Sequence, residues 1–303
     1  MRLGIIGAGG WGTALAVLLS GKGFIVDLWA REEKVVNEIN EQRTNIAFLD
    51  GVFVPERVIA TNNIKNVMTA NNFILIPVPA QYMRGVIQQI KPYLTRDHIL
   101  IHAAKGIEQE SLMRMSEVIL QELSIDFVNN LGVISGPSHA EEVARKVPTA
   151  IVAASPCISV AKQVQNILMC PTLRVYTSKD IVGVELGGAL KNVIALGTGI
   201  SDGLGFGDNT RAAIMTRGIA EIMRLGVVLG ATPITFGGLS GMGDVVVTCM
   251  SMLSRNRRAG IAIGKGKSVA EVLSSTNMVV EGIATVKAAA DLAGKVVGTQ
   301  NGS

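Results

Sequence analysis

Short apolar runs alternate with amphipathic stretches through the first half of the chain. Residues 2–6, 24–29, 73–77, 99–103, 131–135, 150–154 and 173–177 are brief, aliphatic and bounded by turn formers. Each predicts a buried strand. Between them, 13–19, 32–40, 83–91 and 111–123 carry apolar residues at helical spacing. Strand–helix alternation of this kind predicts a mostly parallel, doubly wound sheet with crossover helices. From about Asp180 the texture changes. Residues 182–200 and 211–229 form long apolar-faced stretches, and strand-like alternation largely disappears. The pattern predicts an α/β Rossmann-type domain over 1–180 and an all-helical domain over 181–303.

The first strand runs straight into Gly7-Ala8-Gly9-Gly10-Trp11-Gly12, a G-x-G-x-x-G turn opening an apolar helix that closes at Gly21 and Gly23. Gly7 permits the tight turn, Gly9 lets a pyrophosphate reach the backbone, and Gly12 lets helix pack on strand. The free N–H groups of the helix start then face the phosphates. The unit predicts a bound dinucleotide. Residues 3–21 are uncharged and could imitate a signal peptide or a span. Their many glycines, and the lack of a small-residue cleavage site before Lys22, argue against both.

Composition narrows the class. Hydrophobic residues make up 48% and charged residues 17% of 303, enough for two domains with real cores. The apolar run 181–200 contains Glu185 and Lys191, which argues against a membrane span. Three cysteines at 157, 170 and 249 and three histidines suggest neither a disulfide framework nor a metal site, so a cytoplasmic setting is expected. A net charge of +4 suits anionic small molecules, and 4% aromatics with no basic–aromatic run argue against nucleic acid.

Candidate chemistry clusters at strand ends. In the second strand Asp27 comes too early to hold a ribose, and Arg31 stands at the tip. That favours NADPH, with NADH tolerated. Pro77-Val78-Pro79-Ala80, Lys105-Gly106 and Ser135-Gly136-Pro137-Ser138 each follow a predicted strand, where open α/β sheets bind ligands. In Glu185-Leu186-Gly187-Gly188-Ala189-Leu190-Lys191-Asn192-Val193, a lysine inside an apolar helix costs desolvation unless it is paired or used. Gly187 and Gly188 weaken that helix by about 1 kcal/mol each relative to alanine, which makes sense if something approaches the backbone closely. Asp244 and Thr248 share a helical face. Ser254 is an N-cap candidate, and Arg255-Asn256 after it form a natural phosphate site. Glu281 places an acid in an apolar context beside Val279 and Val280.

Together these segments resemble the bacterial NAD(P)-dependent glycerol-3-phosphate dehydrogenases, from the Gly7–Gly12 turn to Glu281. The resemblance implies that Lys191 is the acid/base lysine and that Lys105 touches both substrate and cofactor, with Asp244 orienting Lys191. It puts Gly136, Ser138, Asn192, Asp244, Thr248, Ser254, Arg255 and Asn256 at the substrate. It puts Gly7, Gly9, Gly10, Trp11, Gly12, Arg31, Lys105, Ala140, Arg255, Val279 and Glu281 at the cofactor. It implies reversible reduction of dihydroxyacetone phosphate, a supply of glycerol 3-phosphate for glycerophospholipids, and a homodimer. Two positions depart from the family. His139 stands where an aromatic residue is usual, and from Gly294 to Ser303 a polar, glycine-rich tail replaces further helical segments. Rival classes are a hydroxyacid or ketopantoate-type reductase, a non-catalytic nucleotide sensor and a methyltransferase. The Arg255-Asn256 site, Lys191 with Asp244, and the apolar helical second half argue against them in turn.

Overall fold

The protein is described here from a computed structural model covering residues 1–276 and 278–300, with side chains as far as Lys295. Its strands are β1 (Arg2–Ile6), β2 (Ile25–Trp29), β3 (Val58–Thr61), β4 (Phe73–Ile76), β5 (Ile99–His102), β6 (Leu131–Ser135), β7 (Thr149–Ala154) and β8 (Leu173–Ser178). They form one sheet in the order β3-β2-β1-β4-β5-β6-β7-β8. Along β4, Phe73 and Leu75 enter one core while Ile74 and Ile76 enter the other. Both faces are therefore covered, which is why the strands read as unbroken apolar runs.

One strand differs from the sequence expectation. The edge strand β3 was not predicted. It is only four residues long, and Ile59 faces solvent, so its apolar signal is weak. The sheet is mostly parallel, as expected, and the exception lies towards the far edge. β6 and β7 pair antiparallel, and β8 runs parallel to β7. Apolar patterning carries no information about strand direction. β1 lies between β2 and β4, so the connections reverse there and open a crevice beyond the strand ends.

The helix Ile181–Gly203 organises everything after the sheet. Asp180 caps it by accepting the Gly183 N–H at 2.8 Å. By length and composition it could cross a membrane, yet most of it is buried inside the protein. Its three charges are all paired: Lys191 with Asp244, Asp202 with Arg211 and Arg257, and Glu185 with a set of donors from the sheet side. Glu185 accepts from the Ser116 N–H and hydroxyl, both at 2.7 Å, and from Arg114, with His102 Nε2 at 3.0 Å. Burial alone would raise this carboxyl, but His102, Arg114 and Ser116 hold it at about 2.

Glycines set the distance to the neighbouring helix Arg255–Gly264. A Cβ on Gly199 would lie 2.2 Å from the Arg257 carbonyl oxygen, and one on Gly260 would lie 2.2 Å from that of Leu196. Gly203 and Gly264 repeat the contact one turn later. The expected break at Gly294 is not present. The helix Glu281–Gln300 passes through it, with Ala288 and Leu292 buried against the core around Leu186 and Gly294 on the exposed side. Residues 301–303 lie outside the described residues.

Candidate active site

The ends of β5 and β6 deliver Lys105 and Gly136 to the flank of the helix Ile181–Gly203, and the helix Asp244–Met250 closes the far side. Lys191 is 7% exposed. Its Nζ donates to Asp244 Oδ1 at 2.6 Å and to Thr248 Oγ1 at 2.7 Å. Lys105 Nζ donates to the other oxygen, Asp244 Oδ2, at 2.6 Å and to the Gly136 carbonyl at 2.9 Å. One buried carboxylate thus holds two ammonium groups, and the trio keeps one net positive charge. Burial would raise the Asp244 carboxyl, but the two lysines hold it below its usual range. Burial, with help from the Lys105 charge, lowers Lys191 to about 8 against the pull of Asp244.

Gly187 and Gly188 do meet close neighbours, and those belong to the protein. A Cβ on Gly187 would lie 2.5 Å from the Ser240 carbonyl oxygen, and one on Gly188 would lie 2.6 Å from Ser135 Oγ. The small residues let the helix settle on β6 and the segment at Ser240, which places Lys191.

A chain of amides ties the surrounding elements together. Asn192 Nδ2 donates to the Lys105 carbonyl at 2.9 Å, and Asn256 Nδ2 donates to Asn192 Oδ1 at 2.8 Å. Asn256 Oδ1 accepts the Gly282 N–H at 2.8 Å. These side chains bridge protein segments, a bracing task that the sequence did not suggest for either residue. Ser254 Oγ accepts the Arg257 N–H at 3.2 Å, the N-cap expected for the helix Arg255–Gly264. Arg255 is exposed and donates to the Val279 carbonyl at 3.0 Å. Ser138 Oγ donates to the Gly136 carbonyl at 2.9 Å.

The glycine turn has the geometry its spacing implies. Gly7 sits at φ +123°, and a Cβ on Gly12 would lie 1.8 Å from the Gly7 carbonyl oxygen. A Cβ on Gly9 would meet nothing within 4 Å, so the space in front of the turn is open. Gly9 caps the helix Gly10–Gly21 without a side-chain bond, which leaves its first N–H groups for a phosphate. Fully buried Asn45 pins the turn by donating to the Ala8 carbonyl and to Thr13 Oγ1, both at 2.8 Å. Trp11 and Ala140 pack in one small cluster, so the turn and the loop after β6 face each other.

Across the crevice, Glu281 Oε1 accepts the Ala80 N–H at 3.1 Å, just after Pro77-Val78-Pro79. Its Oε2 is buried with no hydrogen-bond partner among the described residues, and burial raises the carboxyl to about 6. The open turn, the uncapped helix start and this orphaned oxygen fit a dinucleotide lying along the crevice. Asp27 is committed elsewhere, to Arg2 and to Asn71 Nδ2 at 2.8 Å. Arg31 is exposed at the end of β2. The sequence placed no acid at that tip, but Glu32 stands 3.5 Å from Arg31 and 3.1 Å from Lys34.

Comparison with known proteins gives one answer. Residues 2–161 match the family model for the N-terminus of NAD-dependent glycerol-3-phosphate dehydrogenase, and 180–299 match the model for its C-terminus. The second match crosses Gly294, where the sequence suggested a departure from the family. A relative from Pelotomaculum thermopropionicum, glycerol-3-phosphate dehydrogenase [NAD(P)+], is 53% identical over 97% of this chain and 84% of its own length. One of the same name from Thermoanaerobacter is 52% identical over 95% and 86%. The crystal structure of glycerol-3-phosphate dehydrogenase from Coxiella burnetii superposes with a TM-score of 0.92 at 38% identity, covering 97% of this chain and 89% of that one. Family-model matches over both halves of one sheet-plus-helix architecture lead to one conclusion: this chain belongs to the NAD-dependent glycerol-3-phosphate dehydrogenase family.

Proposed function

We propose that the chain interconverts dihydroxyacetone phosphate and sn-glycerol 3-phosphate, supplying the glycerol backbone of glycerophospholipids. The observation that carries this reading is the Lys191–Asp244–Lys105 trio at the mouth of the dinucleotide crevice. Bound NAD(P)H supplies the hydride taken up at C2 of the ketone. Lys191 gives its Nζ proton to the C2 oxygen during reduction and takes it back during oxidation. A lysine at about 8 is mostly protonated at neutral pH, yet close enough to release its proton. Asp244 stays ionised and aims both ammoniums, while Lys105 adds positive charge where negative charge develops on oxygen. Arg255 and the first N–H groups of its helix hold the substrate phosphate, and that binding energy aligns C2. Asn192 and Asn256 act through position, keeping the Lys105 loop and the Arg255 helix in register.

A cytoplasmic homodimer is part of the same reading. The three free cysteines, 157, 170 and 249, support a reducing compartment. Sedimentation of the purified chain tests the dimer. The activity is tested by mixing the protein with NADPH and dihydroxyacetone phosphate and following the reduced-nicotinamide absorbance. Consumption that depends on the ketone supports the assignment. Slow turnover of this ketone beside rapid turnover of an unphosphorylated keto acid would move the chain to the hydroxyacid reductases.

A further inference from the structure

The loop after β6 carries a group that the mechanism above leaves unused. His139 is the N-cap residue of the short helix Ala140–Ala144, but its side chain makes no capping bond. Its Nε2 is buried and has no hydrogen-bond partner among the described residues. It directly follows Ser138 and lies three residues after Gly136, on the loop that receives Lys105. Buried polar atoms in folded proteins nearly always have a partner, so an orphan at a ligand site points to the ligand.

The surroundings of the ring limit which ligand group it can meet. Burial, and then the charge of Lys191, push the imidazole below its usual 6.5; Glu141 and Glu142 pull the other way, and Lys105 adds a smaller push downwards. The ring is therefore neutral at neutral pH. A neutral imidazole has one N–H donor and one lone-pair acceptor, so Nε2 plays one of these roles according to tautomer, and without a charge it is a weaker phosphate ligand than a guanidinium. On dihydroxyacetone phosphate the phosphate has Arg255 and a helix start, and the C2 oxygen has Lys191. The free hydroxymethyl group remains, uncharged and able to both give and accept.

We infer that His139 is a specificity residue that hydrogen-bonds the free hydroxyl of the substrate through Nε2. The inference rests on the proposed function and adds the recognition of the end of the substrate that carries no phosphate. A site built around such a bond rejects the analogue that lacks the hydroxyl, because the ring nitrogen then stays buried and unpaired.

The test compares dihydroxyacetone phosphate with acetonyl phosphate, which has a methyl group in place of the hydroxymethyl. The ratio of kcat/KM values is measured within each of three proteins: the parent, His139→Phe and His139→Asn. The parent should favour the hydroxylated ketone strongly. His139→Phe should shrink that ratio by about tenfold or more, and His139→Asn, which can still hydrogen-bond, should shrink it less. Both variants leave the helix cap intact because the native side chain makes no cap bond. Melting temperature and NADPH titration check their folding, and His139→Ala replaces a variant that does not fold. A parent that treats both ketones alike, or a ratio that His139→Phe leaves unchanged, overturns the inference. A parent that reduces neither ketone overturns the proposed function, and the inference with it.

Discussion

Lys191 shows how one residue acquires a role from its surroundings. Its apolar helical setting is visible in the sequence, and burial and the Asp244 pair follow from the fold. Lys191→Ala should lower kcat by about two to four orders of magnitude, with little change in NADPH affinity measured by fluorescence titration. The pH dependence has a definite sign. Reduction of the ketone needs the ammonium form, so its rate should fall as pH rises through about 8, and oxidation should rise over the same range. Stopped-flow rates in the two directions would check this. At the cofactor end, Arg31 and Glu32 oppose each other at 3.5 Å. A guanidinium attracts a 2′-phosphate and a carboxylate repels it. Glu32→Gln should therefore raise the NADPH/NADH ratio of kcat/KM, and Arg31→Asp should lower it. Ratios that stay put in both variants would make the pair an ordinary surface contact.

At the scale of elements, the helix pair Ile181–Gly203 and Arg255–Gly264 depends on four glycines. Gly199 and Gly260 each face a backbone oxygen that a Cβ would reach at 2.2 Å. Neither backbone can yield without moving the helix that carries Lys191 or the one that carries Arg255. Gly260→Val should cost about 1–3 kcal/mol or more, as overpacking does. It should also depress kcat/KM, because both ligand-holding helices shift together. Urea unfolding and kinetics on one sample would separate the two effects, and a variant with parental values for both would remove the glycines from this role. The periodicity of 182–200 makes the first helix legible, but the glycine contacts are not. Gly199 and Gly260 are far apart in sequence, and nothing local says that they meet.

At the scale of the whole molecule, Glu185 joins the helical half to the sheet. His102 comes from β5, Arg114 and Ser116 come from the start of the helix Met115–Leu123, and the carboxylate lies between them. Its folded pKa of about 2 lies below the usual 4.5. Its stabilisation is therefore fully present above about pH 4.5 and is lost as pH falls towards 2. Linkage puts the gap on the order of 3 kcal/mol. Glu185→Gln should flatten the acid limb of a stability-against-pH curve, and an unaltered limb would assign acid lability to other carboxylates.

Much of this protein follows from local patterning. Seven of the strands, the glycine turn, the N-cap at Ser254 and the change of texture near Asp180 depend on residues close together in the chain, where periodicity and turn chemistry act. The edge strand β3, the reversal at β7 and the bracing amides of Asn192 and Asn256 do not. Strand direction leaves no mark on apolar spacing, and an amide reads the same whether it meets a ligand or a neighbour. The chemistry of the site belongs to the same category. Lys105, Lys191 and Asp244 come from three separate segments, and a charge trio acquires its shared proton affinity only when packing excludes water around it.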